Sequence, residues 1–409
     1  MPNAPREKLR LTFIISIEVR WLHLEWMCRE LDREQFDISV LLVSLGGRTP
    51  HLKQFLIDHD IPFQHLHCTL APLSLLRTVY AIYRYCRKER VDVVHTHMFL
   101  ASLVGLLGSR LAGTPVRVNT RHHHLKHRSR SIIWLDRLAN RLATHIVIAS
   151  QLVHERLLQE QRTVSHKLAR VRFGIDLDAF RGIEPERVAA LRKKYSLSGQ
   201  APVIGVIARY LKSKGIQYVI PAFRELLEQY PSARLLLAYA RGPDRRFIQE
   251  ALAELPSESY LEIEFEDDVF ALYQLFDVCV HVPTGVDLET FGLIYVEALA
   301  AGIPTVFTLS GVGPEFLTHR HNTWLVEHRN SAQIHQGLET VLASRELRER
   351  LVHNGSRSVE ALFDLQQMVH ALADLYHEWA RLAAIPYSQR QTAHSIKGTV
   401  TNARGPSSS

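Results

Sequence analysis

Cysteines and long apolar stretches are scarce in this chain, and both scarcities narrow the class of protein. Only four of the 409 residues are cysteines, and no two of them form a C-x-x-C pair. A disulfide-stapled miniprotein is therefore excluded, and a reduced, cytoplasmic compartment is favoured. The longest apolar stretch, around Met98–Leu107, is well short of the ~20 residues that a membrane-spanning helix needs. We therefore expect no membrane-spanning segment.

The signature motifs of several enzyme classes are also missing. The chain has no G-x-S-x-G, no P-loop and no G-x-G-x-x-G, which argues against a hydrolase, an NTPase and a dehydrogenase. The H-x-H and H-H-H runs at His95 and His122 suggest a metal site, but no carboxylate or cysteine lies nearby at ligand spacing. We therefore expect no bound metal.

Charge is unevenly distributed in an otherwise ordinary globular composition. Apolar residues make up 46% of the chain and charged residues 22%, and its 409 residues predict two or three domains. The net charge is +7, yet no Lys or Arg occurs between Phe247 and Thr318. The segment Arg121–Arg130 is basic and has no acid. Because it also lacks aromatics and any nucleic-acid motif, we expect no nucleic-acid partner.

Short apolar runs alternate with helical patterns along the chain. Runs such as VDVVHTH and VIGVIA are apolar on both faces, which indicates parallel sheets covered on both sides by helices. We predict an α/β protein of two tandem Rossmann-like, doubly wound parallel-sheet domains with an interdomain cleft. The predicted divisions are a first domain at 1–182, a connector at 183–200, a second domain at 201–360, a helix at 361–386 that packs back on the first domain, and a disordered tail at 387–409.

Ligands bind beyond the carboxyl ends of parallel strands, and the segment VIGVIARYLKSKGI places two cations there. Arg209 and Lys214 follow a buried strand, and Ser213 can cap the next helix. Two cations beside a helix N-terminus suit a diphosphate. Basic residues on a solvated loop are the commoner explanation for an isolated pair.

The segment PTGVDLETFGLIYVEALAAGIPTV carries two acids eight residues apart. We place Glu289 in a loop and start the helix near Phe291, so that Gly292 lets a ligand approach the free amides. Glu297 then lies about 9 Å further along the axis. Carboxylates at this separation suit two polyol groups, such as a ribose and a hexose. Two ordinary surface glutamates on an amphipathic helix are the alternative.

At this point the sequence resembles the retaining, nucleotide-sugar-dependent glycosyltransferases of family 4, which have the GT-B fold. The segment E-T-F-G-L-I-Y-V-E-A-L-A-A-G-I-P-T-V matches their E-x7-E signature, and R-Y-L-K-S-K-G matches their R-x4-K-G phosphate loop. The agreement extends over about residues 90–330 in the correct order. The resemblance implies two Rossmann-like domains and a nucleotide-diphosphate sugar as co-substrate.

The resemblance also assigns roles to the site residues. Arg209 and Lys214 would hold the diphosphate and neutralise the leaving nucleotide, so that no divalent metal or other cofactor is needed. Glu297 would bind the ribose, and His122 would lie across the cleft beside the sugar. Glu289 would hold the donor sugar together with the backbone amides around Phe291, Gly292 and Leu293.

One departure from the family pattern concerns the loop after the first strand. The family usually has a glycine-rich loop there, whereas this chain reads SIEVRWLHLEW. Either Arg20 substitutes by contacting the phosphate with its side chain, or the acceptor side is built differently. His97 and Arg121, which follow neighbouring strands, are further candidates for the acceptor or phosphate side.

The resemblance implies a hexosyltransferase that moves a sugar to a glycan or lipid-linked acceptor, in cell-surface polysaccharide or glycolipid biosynthesis. We expect it in the cytoplasm, with the basic region Arg117–Arg141 resting on an anionic membrane at its inner face. A nucleotide-sugar epimerase or a sugar phosphorylase on the same fold is one alternative. A non-catalytic nucleotide-sugar binder, suggested by the missing glycine loop, is another.

Overall fold

The computed structural model describes residues 8–17, 21–45, 51–122, 129–160, 163–199 and 201–384. The expectations for Arg20 and for the tail at 387–409 lie outside these residues. None of the helices in the described ranges is long and apolar enough to cross a membrane.

The first domain is a parallel sheet of seven strands in the order β3-β2-β1-β4-β5-β6-β7. The central strand β4 is buried along its whole length, as expected for a strand that is apolar on both faces. The strands are β1 (Leu9–Ile15), β2 (Phe36–Leu45), β3 (Phe63–Cys68), β4 (Val93–His97), β5 (Val116–Thr120), β6 (His145–Ile148) and β7 (Leu168–Arg170). The helices are α1 (Leu22–Glu30), α2 (Leu52–Asp58), α3 (Pro72–Lys88), α4 (Phe99–Ala112), α5 (Arg130–Leu142) and α6 (Gln151–Gln159).

The second domain is a parallel sheet of six strands in the order β10-β9-β8-β11-β12-β13. The helix α7 (Pro185–Lys194) precedes it within the connector. The strands are β8 (Val203–Ile207), β9 (Arg234–Ala238), β10 (Tyr260–Ile263), β11 (Val278–His281), β12 (Thr305–Phe307) and β13 (Trp324–Leu325). The helices are α8 (Ile216–Gln229), α9 (Arg245–Leu252), α10 (Val269–Tyr273), α11 (Leu293–Ala300), α12 (Ser331–Ala343) and α13 (Arg345–Leu362). The predicted fold class, two tandem doubly wound domains, is confirmed.

The last described helix, α14 (Leu365–Ala384), contacts the first domain. The Tyr376 hydroxyl lies 2.5 Å from Nδ1 of His95, at the centre of the first sheet. At the next residue of the helix, Nε2 of His377 lies 3.0 Å from Oε1 of Gln35. The chain therefore crosses between the domains a second time just before α14.

Contacts between the domains lie at the carboxyl ends of both sheets, where the sequence predicts the cleft. The Ser150 hydroxyl, just past β6, donates to the carbonyl of Thr290 at 2.7 Å. The rings of Phe173 and Phe291 lie 5.0 Å apart across the domains. These contacts place the segment that contains Glu289 against the first domain.

Two short elements of the second domain were not predicted from the sequence. The five-residue helix α10 and the two-residue strand β13 are too short to show a repeat of 3.6 or 2 residues. Three helices, α12, α13 and α14, follow one another closely after β13. One division between them falls at Ser344, whose hydroxyl accepts from the backbone N–H of Leu347 at 3.2 Å and so caps α13.

Candidate active site

The segment after β8 forms a tight turn that presents two cations. The turn at Lys212–Lys214 is a single 3-10 helix, and Gly215 ends it with a φ of +77°. A Cβ at Gly215 would lie 1.9 Å from the carbonyl oxygen of Val282, just past β11. Only glycine allows this close approach together with this backbone conformation. The turn is therefore pressed against the carboxyl end of the neighbouring strand.

Arg209 and Lys214, the two predicted phosphate ligands, have different surroundings. The Arg209 side chain is exposed, and no described residue forms an ion pair or side-chain hydrogen bond with it. The Lys214 ammonium donates to Oε1 of Glu289 at 2.5 Å. Arg209 is thus available to an external anion, and Lys214 keeps two of its three protons for further hydrogen bonds.

Glu289 links this turn to the acidic segment. Its Oε1 also lies 3.0 Å from Nε2 of His281, the last residue of β11. Burial alone would raise the pKa of Glu289, but the contacts with His281 and Lys214 outweigh burial and hold that pKa at about 2. Burial also lowers the pKa of His281. A neutral His281 therefore donates from Nε2 to an ionised Glu289.

The acid dependence of stability should reveal this carboxylate. The pKa of Glu289 is about 2 in the folded protein, below its value in the unfolded chain. The ionised carboxylate therefore stabilises the fold fully above the unfolded-state pKa, and this stabilisation is lost as pH falls through the folded-state pKa. We expect the free energy of unfolding of the parent, relative to Glu289→Gln, to fall by about 3 kcal/mol between pH 5 and pH 2. Urea unfolding of both proteins across this range measures it. A difference that does not change with pH would contradict the paired carboxylate.

The loop that carries Glu289 is held by a second turn. The backbone N–H of Glu289 donates to the Ser310 hydroxyl at 3.0 Å, and the N–H of Val312 donates to the carbonyl of Phe291 at 2.9 Å. Gly292 has a φ of +87°, outside the helical region, and α11 therefore begins at Leu293. The predicted position of Glu289 in a loop is confirmed, and the helix begins two residues later than predicted.

Glu297 lies on the second turn of α11, and one of its oxygens already has a partner. The Tyr273 hydroxyl, at the end of α10, donates to Oε2 of Glu297 at 2.8 Å. Burial raises the pKa of Glu297, and the hydrogen bond from Tyr273 opposes that rise. The arrangement leaves Oε1 of this half-buried carboxylate for a ligand hydroxyl.

Two histidines of the first domain meet at the edge of the cleft. Nδ1 of His97, at the end of β4, lies 2.9 Å from Nε2 of His122, which follows β5. His97 is 1% exposed, and burial together with the neighbouring histidines lowers its pKa well below the ordinary value. The His122 ring stacks on Phe173 at 5.2 Å, and Phe173 contacts Phe291. The structure thus brings His122 and His97 to the segment that follows Glu289.

Arg121 is placed differently from the other predicted residues. It is buried, and its guanidinium forms two hydrogen bonds to the carboxylate of Asp136 on α5. Its charge is therefore neutralised inside the first domain, and this placement does not support the predicted contact with phosphate or acceptor. No group of three or more His, Cys, Asp or Glu side chains is arranged to hold a metal ion within the described ranges.

Sequence reasoning missed two members of this site. His281 ends a strand, as His97 does, and its place in DVCVHVP eight residues before Glu289 was a signal that could have identified it. Tyr273 gave no such signal, because it belongs to a helix too short to be recognised. His281 and Tyr273 form hydrogen bonds with the predicted site residues Glu289 and Glu297, and only these side-chain contacts in the structure identify them.

Two family models match the chain, one for each domain. The model described as Glycosyltransferase Family 4 matches residues 22–179. The model described as Glycosyl transferases group 1 matches residues 188–358. Together they cover most of the chain, and the second match includes Arg209, Lys214, Glu289 and Glu297.

Similar proteins include named glycosyltransferases. The capsular polysaccharide biosynthesis glycosyltransferase CapM of Staphylococcus aureus is 24% identical over 84% of this chain and 91% of its own length. The alpha-monoglucosyldiacylglycerol synthase of Acholeplasma laidlawii is 26% identical over 61% of this chain and 67% of its own. The crystal structure of Anabaena Alr3699/HepE in complex with UDP-glucose superimposes with a TM-score of 0.77 at 19% identity, covering 90% of this chain and 100% of that one.

The two tandem parallel sheets, with polar residues at their facing edges, define the GT-B fold. The family matches and the named relatives make the assignment more specific. The chain belongs to glycosyltransferase family 4.

Proposed function

We propose that this glycosyltransferase transfers a hexose from a nucleoside-diphosphate sugar to a glycan or lipid-linked acceptor, with retention of the anomeric configuration. The observation that carries the proposal is the junction of the two predicted motifs, where the Lys214 ammonium meets the Glu289 carboxylate at 2.5 Å. A side chain suited to phosphate therefore lies next to one suited to sugar hydroxyls, as binding of a sugar diphosphate requires.

The cations act on the leaving group. When the bond between the sugar C1 and the diphosphate oxygen breaks, the electron pair stays on that oxygen. Arg209 and Lys214 stabilise this charge. The oxygen of the acceptor hydroxyl then bonds to C1, and the proton of that hydroxyl passes to the departing diphosphate. Preorganised donors of this kind contribute about 2.7–4 kcal/mol each to the transition state. We propose that these two side chains supply the charge that a divalent metal supplies in other enzymes.

The carboxylates position the two ends of the donor. Glu289, ionised and held by Lys214 and His281, accepts hydrogen bonds from sugar hydroxyls, and the amides around Gly292 and Leu293 at the start of α11 contact the same sugar. Glu297, held by Tyr273, accepts from the ribose. His122 lies on the opposite side of the cleft, beside the reacting sugar, with His97 behind it.

Removing the hydroxyl that orients Glu297 should weaken donor binding more than turnover. We expect Tyr273→Phe to raise the donor KM about fivefold to tenfold, because one hydrogen bond to a charged group is lost, with little change in kcat. The acidic limb of 1/KM should move to higher pH, since the Tyr273 hydrogen bond lowers the pKa of Glu297. Initial rates across pH measure both.

Tyr195→Phe is the matched control for that change. The Tyr195 hydroxyl also donates to a carboxylate, that of Glu266, but neither residue belongs to the proposed donor site. The donor KM of this variant should equal that of the parent. Equal effects of the two substitutions on KM would contradict the ribose-binding role of Glu297.

The relatives support the chemistry and suggest its setting. HepE is bound to UDP-glucose in its crystal structure, which supports a nucleotide-sugar donor for this chain. CapM is named for capsular polysaccharide biosynthesis, and the Acholeplasma protein for synthesis of a glucosyl diacylglycerol. We therefore propose a role in cell-surface polysaccharide or glycolipid biosynthesis, at the cytoplasmic face of a membrane.

A donor screen tests the proposal. The protein is incubated with UDP-, GDP- and ADP-sugars, with and without EDTA, and nucleotide release is followed by chromatography. We expect one donor to be hydrolysed slowly without added metal, and glycoside formed with an acceptor extract to keep the anomeric configuration of the donor by NMR. Inverted product, a requirement for Mn²⁺, or epimerised donor without transfer would contradict the proposal.

A further inference from the structure

The solvent-facing side of α3 carries large apolar residues that no other part of the described chain covers. Leu73 is 59% exposed, Leu76 64% and Tyr80 59%, and Leu70, just before the helix, is 73% exposed. The opposite side of α3 is buried in the first domain, with Ile82 fully enclosed. These exposed side chains are therefore not part of the core.

The same side of α3 carries four cations. Arg77, Arg84, Arg87 and Lys88 are exposed, and α3 contains no acid. The first three form no ion pair with any described residue, whereas Lys88 lies 3.1 Å from the carboxylate of Glu89.

Helical geometry places these residues on one face, named here the α3 face. At about 100° per residue, the seven exposed side chains fall within about 120° of the helix circumference. The α3 face consists of Leu73, Leu76, Arg77, Tyr80, Arg84, Arg87 and Lys88. Leucine, tyrosine and arginine on one exposed face are typical of a helix that lies in the interface of a bilayer.

We propose that the α3 face docks this enzyme on the surface of an anionic lipid bilayer. The unpaired guanidinium groups are complementary to lipid phosphates, and the leucines and Tyr80 can enter the boundary between head groups and acyl chains. The proposal does not depend on the identity of the donor.

The position of α3 fits delivery of an acceptor from the bilayer. The helix begins four residues after β3 ends at Cys68, so its apolar end lies near the carboxyl edge of the first sheet. The same edge carries His97 and His122, because all strands of this sheet run parallel. A bilayer against the α3 face therefore lies beside the opening of the cleft.

The structure favours this face over the predicted region Arg117–Arg141. The Arg117 guanidinium donates to the carbonyls of Leu142 and Thr114. Arg121 is buried against Asp136. Two cations of that region are thereby committed to contacts within the first domain, whereas Arg77, Arg84 and Arg87 of the α3 face form no ion pair with any described residue.

Vesicle flotation of the full chain tests the proposal. The protein is mixed with vesicles of phosphatidylcholine alone, or of equimolar phosphatidylcholine and phosphatidylglycerol. We expect the parent to float with the anionic vesicles only. Arg84→Gln/Arg87→Gln should lower the partition coefficient about 30-fold, and Leu73→Ser/Leu76→Ser at least about tenfold. The double variant Arg345→Gln/Arg350→Gln, on an exposed face of α13, should float as the parent does.

The outcomes separate docking from catalysis. Donor hydrolysis in solution by the α3 variants should equal that of the parent, since none of these residues is in the proposed active site. A parent that stays at the bottom of the gradient would overturn the proposal. That result would be expected if the α3 face bound a protein partner and not a bilayer. So would α3 variants that float normally, or an α13 control that loses as much binding as they do.

Discussion

Replacing Lys214 by alanine is expected to lower kcat about 10²-fold to 10³-fold, the cost of removing one preorganised donor from the charge that develops in a transition state. The Lys214 ammonium lies on a turn held against β11 and contacts Glu289 at 2.5 Å. Its loss leaves the leaving diphosphate with Arg209 alone and removes a partner from a buried carboxylate. Steady-state rates of nucleotide release at saturating donor measure the effect.

Lys212 provides the control for this substitution. It lies two residues earlier in the same 3-10 turn, is exposed, and places its ammonium 4.3 Å from the centre of the Phe247 ring. Lys212→Ala removes the same charge from the same turn and should leave kcat close to that of the parent. Similar losses in both variants would show that overall positive potential matters, rather than the placed ammonium of Lys214.

Gly215→Ala is expected to lower the free energy of unfolding by about 3 kcal/mol, from overpacking together with an unfavourable backbone conformation. The added Cβ would lie 1.9 Å from the carbonyl oxygen of Val282, so the turn must move away from β11. Because that movement displaces Lys214, kcat should fall in the protein that remains folded. Chemical denaturation and nucleotide release measure the two effects.

Gly199→Ala separates crowding from backbone strain. Gly199 has a φ of +76°, almost the same as the +77° of Gly215, but a Cβ there would meet nothing within 4 Å. This substitution should cost only about 1 kcal/mol and leave kcat unchanged. Equal losses at the two glycines would contradict the close approach of the turn to β11.

The sequence was sufficient to predict the backbone of this site. Buried strands followed by polar residues placed Arg209, Lys214 and Glu289 at the carboxyl edge of the second sheet, because parallel strands end at one edge. The meeting of His97 and His122 follows from the same rule, since β4 and β5 are neighbours in the sheet. These inferences need only periodicity and topology.

Side-chain partners were beyond such reasoning. Nothing local to Arg121 shows that Asp136, fifteen residues later, neutralises it. The same holds for Tyr273 and Glu297, which are 24 residues apart. These pairs form through packing between separate elements, which periodicity does not specify. The exposed side of α3 could not be predicted either. An amphipathic pattern shows where a helix is, but it does not show which of its residues other elements cover.

The central claim is that Arg209 and Lys214 bind the diphosphate of the donor, and calorimetry with two ligands tests it most directly. For the base preferred in the donor screen, the parent should bind the nucleoside diphosphate at least about 10²-fold more tightly than the nucleoside, because two charge-assisted contacts are added. In Arg209→Ala/Lys214→Ala this ratio should fall close to one, with nucleoside affinity unchanged. A ratio that stays at the parent value would contradict the account.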